Sequence, residues 1–504
     1  MKLSKHLVLA CFYTLVFFCC KNEKRELSKE HTKRPNVILF LVDDMGWTDS
    51  GVYGSDLYKT PNIDKLASQG MMFTDGYAAC TVCSPTRASI MTGKYPATIN
   101  VTDWIKGHNK PYAKMQIPDW NMKLDLEEKT LPEELKKRGY KTAHIGKWHL
   151  GEDEKFWPEN QGFDVNIGGH SGGSPKANGG GGYFSPYNNP RLENGIEGEY
   201  LTNRLADEAV KYINQNKDST FFLNFWLYNV HTPLQANASK IEKYKKLVND
   251  SLHHSNAVYA AMVEHMDDAL GSVMQSLKDN RLEENTIIIF NSDNGGLRGN
   301  FENRRIKVTD NYPLRSGKGD IYEGGVRVPL IFKWPKRIAA GTSSNTPEIS
   351  ADLFPTILGL IDDGEKNDLQ FDGVDLSPVL LDKGEVNRPA IFWHYPHYHL
   401  EGAKPYSAIR KGDWKLIQVF ENDKLELYNL KDDIGENKNL VDLYPEKTNE
   451  LFGDLNAWRT KTAAQLPSKN LNYDAEHEND WKFNKSATIT EEDKKVNQKN
   501  NVKL

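Results

Sequence analysis

Six consecutive apolar residues, Val37-Ile38-Leu39-Phe40-Leu41-Val42, follow a charged stretch almost free of apolar side chains. A continuous run of this kind, rather than an alternating one, predicts a strand buried on both faces. Comparable runs recur at Phe221–Leu227, Ile287–Phe290 and Leu330–Phe332. Between them the apolar positions change period. Val263, Met266, Leu270, Val273 and Leu277 recur every three or four residues, which predicts a helix over Tyr259–Leu277. A second helix is expected over Asn203–Ile213. Strands alternating with helices predict an α/β domain with a largely parallel sheet. Met262, Met266 and Met274 fall within the helical pattern and read as core packing.

The two ends of the chain have a different texture. Lys2 and Lys5 precede an apolar run from Leu7 to Phe18, followed by Cys19 and Cys20. Residues 1–20 read as an export signal, too short to span a bilayer. The paired cysteines resemble a bacterial lipoprotein signal, with Cys20 as the residue that would carry lipid and tether the protein to a membrane. A plain cleaved signal is the alternative, and either way the mature chain leaves the cytoplasm. Residues 21–34 are charged and read as a solvated tether. The main domain is expected over 35–385. Within it, residues 168–190 are dense in Gly, Asn, Ser and Pro and read as a long loop over one end of the sheet. From 386 to 483, runs such as Trp414–Val419 and Leu425–Tyr428 flank a turn at Glu421-Asn422-Asp423, predicting a smaller C-terminal α+β part with an antiparallel sheet. Residues 484–504 read as a loose tail.

Composition then removes some classes. A formal net charge of -5 over 504 residues argues against a dedicated nucleic-acid binder. The cysteines are Cys11, Cys19, Cys20, Cys80 and Cys83, so the exported chain keeps only two. Two are too few for a disulfide framework, and no second pair completes a zinc site.

The chemistry-bearing segments recur just after the predicted strands. Asp43-Asp44 follows the first apolar run, and Asn291-Ser292-Asp293-Asn294-Gly295-Gly296 follows Ile287–Phe290. Carboxylates at the carboxyl ends of parallel strands stand where α/β proteins place ligands. An all-oxygen set of this kind suits a hard divalent cation, although an isolated Asp-Asp is also a helix cap or a solvated turn. Gly146-Lys147-Trp148-His149-Leu150-Gly151 follows a short strand at Thr142–Ile145. His231-Thr232-Pro233 follows Phe221–Leu227, and Gly317-Lys318-Gly319 leads into Tyr322–Pro329. Finally, Cys83-Ser84-Pro85-Thr86-Arg87 opens an eleven-residue stretch ending at Gly93. Alone, Cys83 also fits a buried structural thiol.

Taken together and in this order, the segments resemble the type I sulfatases, whose C-x-P-x-R signature is read by an enzyme that oxidises the cysteine to formylglycine. The resemblance covers roughly residues 35 to 440 and includes Leu427-Tyr428-Asn429-Leu430. It implies the alkaline phosphatase superfamily fold: a mixed, mainly parallel sheet between helices, with a smaller C-terminal domain. It implies that Cys83 becomes the formylglycine nucleophile, whose hydrate has one hydroxyl to attack sulfur and a second to expel sulfate. It implies one Ca²⁺ held by Asp43, Asp44, Asp293 and Asn294, with residue 83 beside it. Arg87 would hold the aldehyde hydrate, and Lys147 and Lys318 would bind sulfate. Asp293 would take the nucleophile's proton, His231 with Lys318 would protonate the leaving oxygen, and His149 would act on the second hydroxyl.

The implied partners are a sulfated glycan and a maturating enzyme, either formylglycine-generating or of the anaerobic type. An exported, lipid-anchored sulfatase resembles those of polysaccharide-degrading Bacteroidetes, with ulvan or another algal polysaccharide as the expected substrate. His394 and His397, in the cluster Trp393–His399, are candidate sugar contacts; the same cluster also fits a structural strand edge. Two other readings stay open: a phosphonate or phosphodiester hydrolase sharing the same motifs, and a non-catalytic glycan-binding lipoprotein.

Overall fold

The computed structural model describes residues 34–300, 303–362, 368–483 and 491. The export signal with Cys20, the tether up to residue 33, and nearly all of the 484–504 tail lie outside the described residues. Each apolar run read as a strand from the sequence lies in a strand of the described residues. An eight-stranded sheet takes the order 342–344, 71–73, 330–333, 286–292, 36–42, 221–226, 141–146, 165–167. The pairings Asn36–Val42 with Thr286–Ser292 and with Phe221–Trp226 are parallel, as are Lys141–Gly146 with both its neighbours. Leu330–Lys333 is antiparallel to both of its neighbours. The sheet is therefore mixed but mainly parallel.

Why the runs are continuous rather than alternating is visible in the packing. Ile38, Phe40 and Val42 face a core built with the helices Leu201–Gln215 and Ala257–Asp279, which includes Met262, Met266 and Met274. Val37, Leu39 and Leu41 face a second core with the helices Cys83–Thr92 and Leu353–Ile361. Both faces are covered, so every position of the strand must be apolar.

A separate four-stranded antiparallel sheet runs Ile391–Tyr395, Tyr406–Lys411, Trp414–Val419, Lys424–Asn429. Trp393, Ala408 and Ile417 on one face and Leu427 on the other belong to a third core that includes Tyr77, Cys80 and Tyr95, and Leu451 and Leu455 of the helix Pro445–Lys461. Cys80 is a buried packing residue here, and no disulfide joins it to Cys83. Among the described residues, no helix is long and apolar enough to cross a membrane.

Candidate active site

Parallel strands deliver their carboxyl ends to one edge of the sheet, and four of the sequence-predicted groups, at Asp43, Lys147, His231 and Asp293, arrive there together. The loops that carry them are stitched by the same ladder. Asp43 N–H donates to Asn229 O (2.8 Å), Val230 N–H to Asp43 O (2.6 Å), Asp293 N–H to Val42 O (3.1 Å) and Lys147 N–H to Trp226 O (2.7 Å). The turn into Lys147 requires glycine. Gly146 has φ of 108°, and a Cβ there would lie 1.9 Å from Trp226 O.

Cys83 is the first residue of the helix Cys83–Thr92, and all ten residues of that helix are buried. Burial pushes the Cys83 thiol up to about 11, despite Lys147 and Lys318 nearby. As a plain thiol it is protonated at neutral pH and a poor nucleophile. One turn on, the Arg87 guanidinium bonds Asp293 Oδ2 through Nε at 2.8 Å and Lys147 O through Nη1 at 2.9 Å. It also lies 5.1 Å from the centre of the Trp226 ring, which fixes its plane.

Asp43, Cys83 and Asp293 bring one potential ligand atom each within 4.8 Å of one another. Asp44 and Asn294 join them: Asn294 Nδ2 donates to Asp44 Oδ1 (2.8 Å), and Asp44 N–H to Asp293 Oδ1 (3.1 Å). Asp43 Oδ1 and Asn294 Oδ1 are buried without a hydrogen-bond partner. Burial, partly offset by Lys147, drives the Asp43 carboxyl well above its usual range, and the neighbouring Asp293 and Asp44 push it further. Hard oxygens without hydrogen-bond partners in a cluster of carboxylates fit a divalent cation, which would supply the missing partner.

Two ammonium groups flank the cluster. Lys147 Nζ lies 2.7 Å from Asp43 Oδ2, and Lys318 Nζ lies 2.8 Å from Asp44. Burial disfavours a charged Lys318, yet Asp44 raises its proton affinity above the usual lysine range. His231 Nδ1 is 2.7 Å from Thr232 O, so Nδ1 carries a proton, and Nε2 faces Asp44 Oδ2 at 3.7 Å. Burial, Lys318 and Lys147 depress His231 to about 3, which leaves it neutral.

His149 has φ of 64°, a left-handed conformation sparsely used by residues other than glycine. Its Nε2 contacts Ile105 O. A carbonyl can only accept, so Nε2 carries the proton. Nδ1 is then a buried base with no hydrogen-bond partner. His149 N–H donates to His170 O (3.1 Å), and a Cβ on Gly173 would meet its ring, so the 168–190 loop cups this residue.

His394 and His397 are not brought into this set. His394 uses both ring nitrogens on the protein, Nδ1 with Ser407 Oγ (2.6 Å) and Nε2 with Gln465 O (2.8 Å). His397 is fully buried, with Nε2 2.9 Å from Thr102 Oγ1. The structure thus places His394 away from the site, on the sheet face opposite Trp393, with both ring nitrogens engaged by protein. The histidine that does approach the site is His399. An added Cβ on Gly319 (φ 85°) would sit 2.0 Å from its Nδ1.

A sheet edge that gathers anion-binding cations and oxygen ligands around one buried helix-start residue defines a hydrolase with the alkaline-phosphatase-like fold. Comparison with known proteins gives the same class. A sulfatase family model matches residues 35–363, and a model for the N-sulphoglucosamine sulphohydrolase C-terminal region matches residues 317–461. A sulfatase of Formosa agariphila is 33% identical over 515 residues, covering 87% of this chain and 91% of that one. Human N-acetylgalactosamine-6-sulfatase is 32% identical over 385 residues, covering 71% and 68%. The crystal structure of Ps i-CgsB in complex with k-i-k-neocarrahexaose superposes with a TM-score of 0.70 at 28% identity, over 88% of this chain and 95% of that one. The chain belongs to the sulfatase family and is a sulfuric ester hydrolase.

Proposed function

We propose that this protein removes sulfate esters from a sulfated glycan, using formylglycine made from Cys83 and one Ca²⁺ held by Asp43, Asp44, Asp293 and Asn294 beside residue 83. The observation that carries the reading is the juxtaposition of Asp43, Cys83 and Asp293 within 4.8 Å, next to two orphaned oxygens. Relatives support the glycan: one acts on N-acetylgalactosamine 6-sulfate by its name, and one solved neighbour holds a carrahexaose. An algal polysaccharide such as ulvan is the substrate we favour, and a lipid anchor at Cys20 is the export state we favour.

When present, the hydrated formylglycine supplies a geminal diol and the calcium a Lewis acid for the sulfate oxygens. The remaining work falls to the chain's own side chains. Lys147 and Lys318 clamp the anionic oxygens. Arg87 holds Asp293 in place, and Asp293 accepts the proton of the attacking hydroxyl. Lys318 stays protonated while His231 is neutral with its proton held on Nδ1, so within this pair Lys318 supplies the proton to the leaving oxygen. His149 offers Nδ1 as the base for the second hydroxyl of residue 83. The helix Cys83–Thr92 is buried throughout, so a maturating enzyme must act before the fold closes.

Two measurements test this together. Peptide mass analysis after expression with a maturating enzyme should show formylglycine at position 83. Sulfate release should then be scored on oligosaccharides of ulvan, carrageenan, fucan and chondroitin sulfate, with a phosphate diester and a phosphonate alongside. Release from none of the sulfated glycans, or faster turnover of a phosphorus ester, would overturn the reading.

A further inference from the structure

The catalytic groups occupy a sheet edge, but a second set of rings stands against them and takes no part in the chemistry above. Between the helix Cys83–Thr92 and the strand Lys141–Gly146 the chain makes an excursion that carries Trp104 and His108. Ile105 N–H donates to Ser84 Oγ (3.1 Å), and Ser84 Oγ donates to His149 O (2.9 Å), which fastens this excursion to the nucleophile's own turn.

From there the rings form a chain. Trp104 lies 6.4 Å from His149, centre to centre, and 5.7 Å from His108, to which its Nε1 donates at 2.8 Å. His108 lies 5.9 Å from His399, and His399 abuts Gly319 beside Lys318. The arc thus runs from one end of the cationic floor, at His149, to the other, at Lys318. It sits at the depth of the site itself: His108 is 1% exposed and His399 3%, against 3% for Cys83 and 5% for Lys318. Trp104 is more open.

The arc is braced from the far end of the chain. Lys482–Phe483 pairs with His108–Asn109, and Ser468–Lys469 with Met115–Gln116. Asn470 Nδ2 donates to Pro111 O (2.8 Å) and Ala113 O (2.7 Å), and Trp481 packs edge-on against His108 at 6.1 Å. The family models end at residues 363 and 461. The strap over 462–483 follows these matched regions in the chain and reaches the wall of the site.

We propose that Trp104, His108 and His399 form the wall of the subsite for the sugar ring that carries the scissile sulfate, with Trp481 of the C-terminal strap holding that wall in place. This rests on the glycan reading above. A pyranose offers an apolar face and a rim of hydroxyls; indole and imidazole faces match the first, and His108 Nε2, which carries the ring proton because Nδ1 accepts from Trp104 and which has no hydrogen-bond partner, matches the second. Glu401 N–H donates to His399 Nδ1 at 3.2 Å, which fixes the orientation of the ring. Trp481 is a positioning residue, acting through His108.

The test uses the full-length matured protein, with the sulfated oligosaccharide that wild type desulfates fastest in the panel above, and 4-methylumbelliferyl sulfate as a substrate lacking the sugar. Trp481→Ala should raise KM for the oligosaccharide about tenfold or more while leaving kcat/KM on the aryl sulfate within about twofold, and His399→Gln should raise the oligosaccharide KM by a similar factor. Trp481→Phe should restore most of the oligosaccharide KM. Equal losses on both substrates would mean that the strap only supports the fold, and unchanged KM on the oligosaccharide would mean that the wall does not touch sugar; either result overturns the inference. Failure of the glycan reading itself is separable, because wild type would then release sulfate from no oligosaccharide in the panel.

Discussion

Lys318 Nζ stands 2.8 Å from the Asp44 carboxylate although both side chains are almost entirely buried. Neither charge is tolerable there alone. The pair spends its electrostatics on a floor that is already formed before any anion arrives, which is the preorganisation that lowers a barrier. Removing the ammonium should therefore lower turnover and also cost stability, because it leaves Asp44 buried without its cation. Lys318→Ala is expected to lower kcat/KM on the best sulfated substrate by about 10²–10³-fold. Lys318→Arg should rescue poorly, because a planar fork cannot replace a point charge between two carboxylate oxygens. Steady-state kinetics, with far-ultraviolet circular dichroism as the folding control, checks both.

The orphaned oxygens of Asp43 and Asn294 give a prediction about metal that does not depend on turnover. A cation bound only by the folded state stabilises it, by about 2.7 kcal/mol when its free concentration is a hundred times Kd. Dialysis against a calcium chelator should lower the thermal midpoint, and calcium should restore it. Asp43→Asn should abolish that calcium-dependent shift. A midpoint indifferent to chelator and to added calcium would remove the metal from the account.

A third prediction concerns the joint between the two sheets. Lys415 lies on the four-stranded sheet with no exposure, and its Nζ meets Glu323 Oε1 at 2.8 Å, Glu436 Oε1 at 3.0 Å and Ile321 O at 2.8 Å. Truncating it strands buried carboxylates. Lys415→Ala should cost about 3–5 kcal/mol in chemical denaturation, with the KM of whatever variant protein remains folded unchanged.

How much of this was legible in the sequence follows from where each group sits. Asp43, Lys147, His231 and Asp293 all come just after an apolar run, so strand and motif could be read in one glance. The parallel sheet then converts four separate chain positions into one edge. The aromatic wall had no such signal. Trp104 and His108 come from an irregular excursion, His399 from a turn beyond the strand Ile391–Tyr395, and Trp481 from a segment near the end of the chain. Their meeting is purely tertiary. Of the histidine cluster, the structure brings His399 next to the site and leaves His394 and His397 engaged elsewhere in the protein. His394 is still within the strand and points to protein partners, whereas His399 lies past its end, where the period of two no longer applies. Cys80 had no reading from sequence and proves to be core.

The last prediction concerns pH and the support of the aromatic wall. Asp103 is buried, with Tyr395 OH (2.8 Å) and Trp104 N–H (2.9 Å) donating to its Oδ1 and His108 Nδ1 3.6 Å from its Oδ2; Cys80 is also close. Burial, only partly opposed by those hydrogen bonds, raises Asp103 to about 8, and burial depresses His108 to about 3. The contact between them is thus one of neutral groups at neutral pH, not an ion pair. The folded state keeps a proton on Asp103 that the unfolded chain releases above about pH 4. Between those two values the folded state binds more protons, so the contribution of Asp103 to stability falls as pH rises, by at most about 1.4 kcal/mol per pH unit, and levels off above pH 8. Asp103→Asn keeps the acceptor for Tyr395 and Trp104 and removes the titration. The variant should match wild type near pH 4 and become progressively the more stable of the two from pH 5 to 8. Denaturant midpoints across that range decide it: parallel curves for the two proteins would mean that Asp103 is ionised in the fold and that the wall beside it stands on a charge.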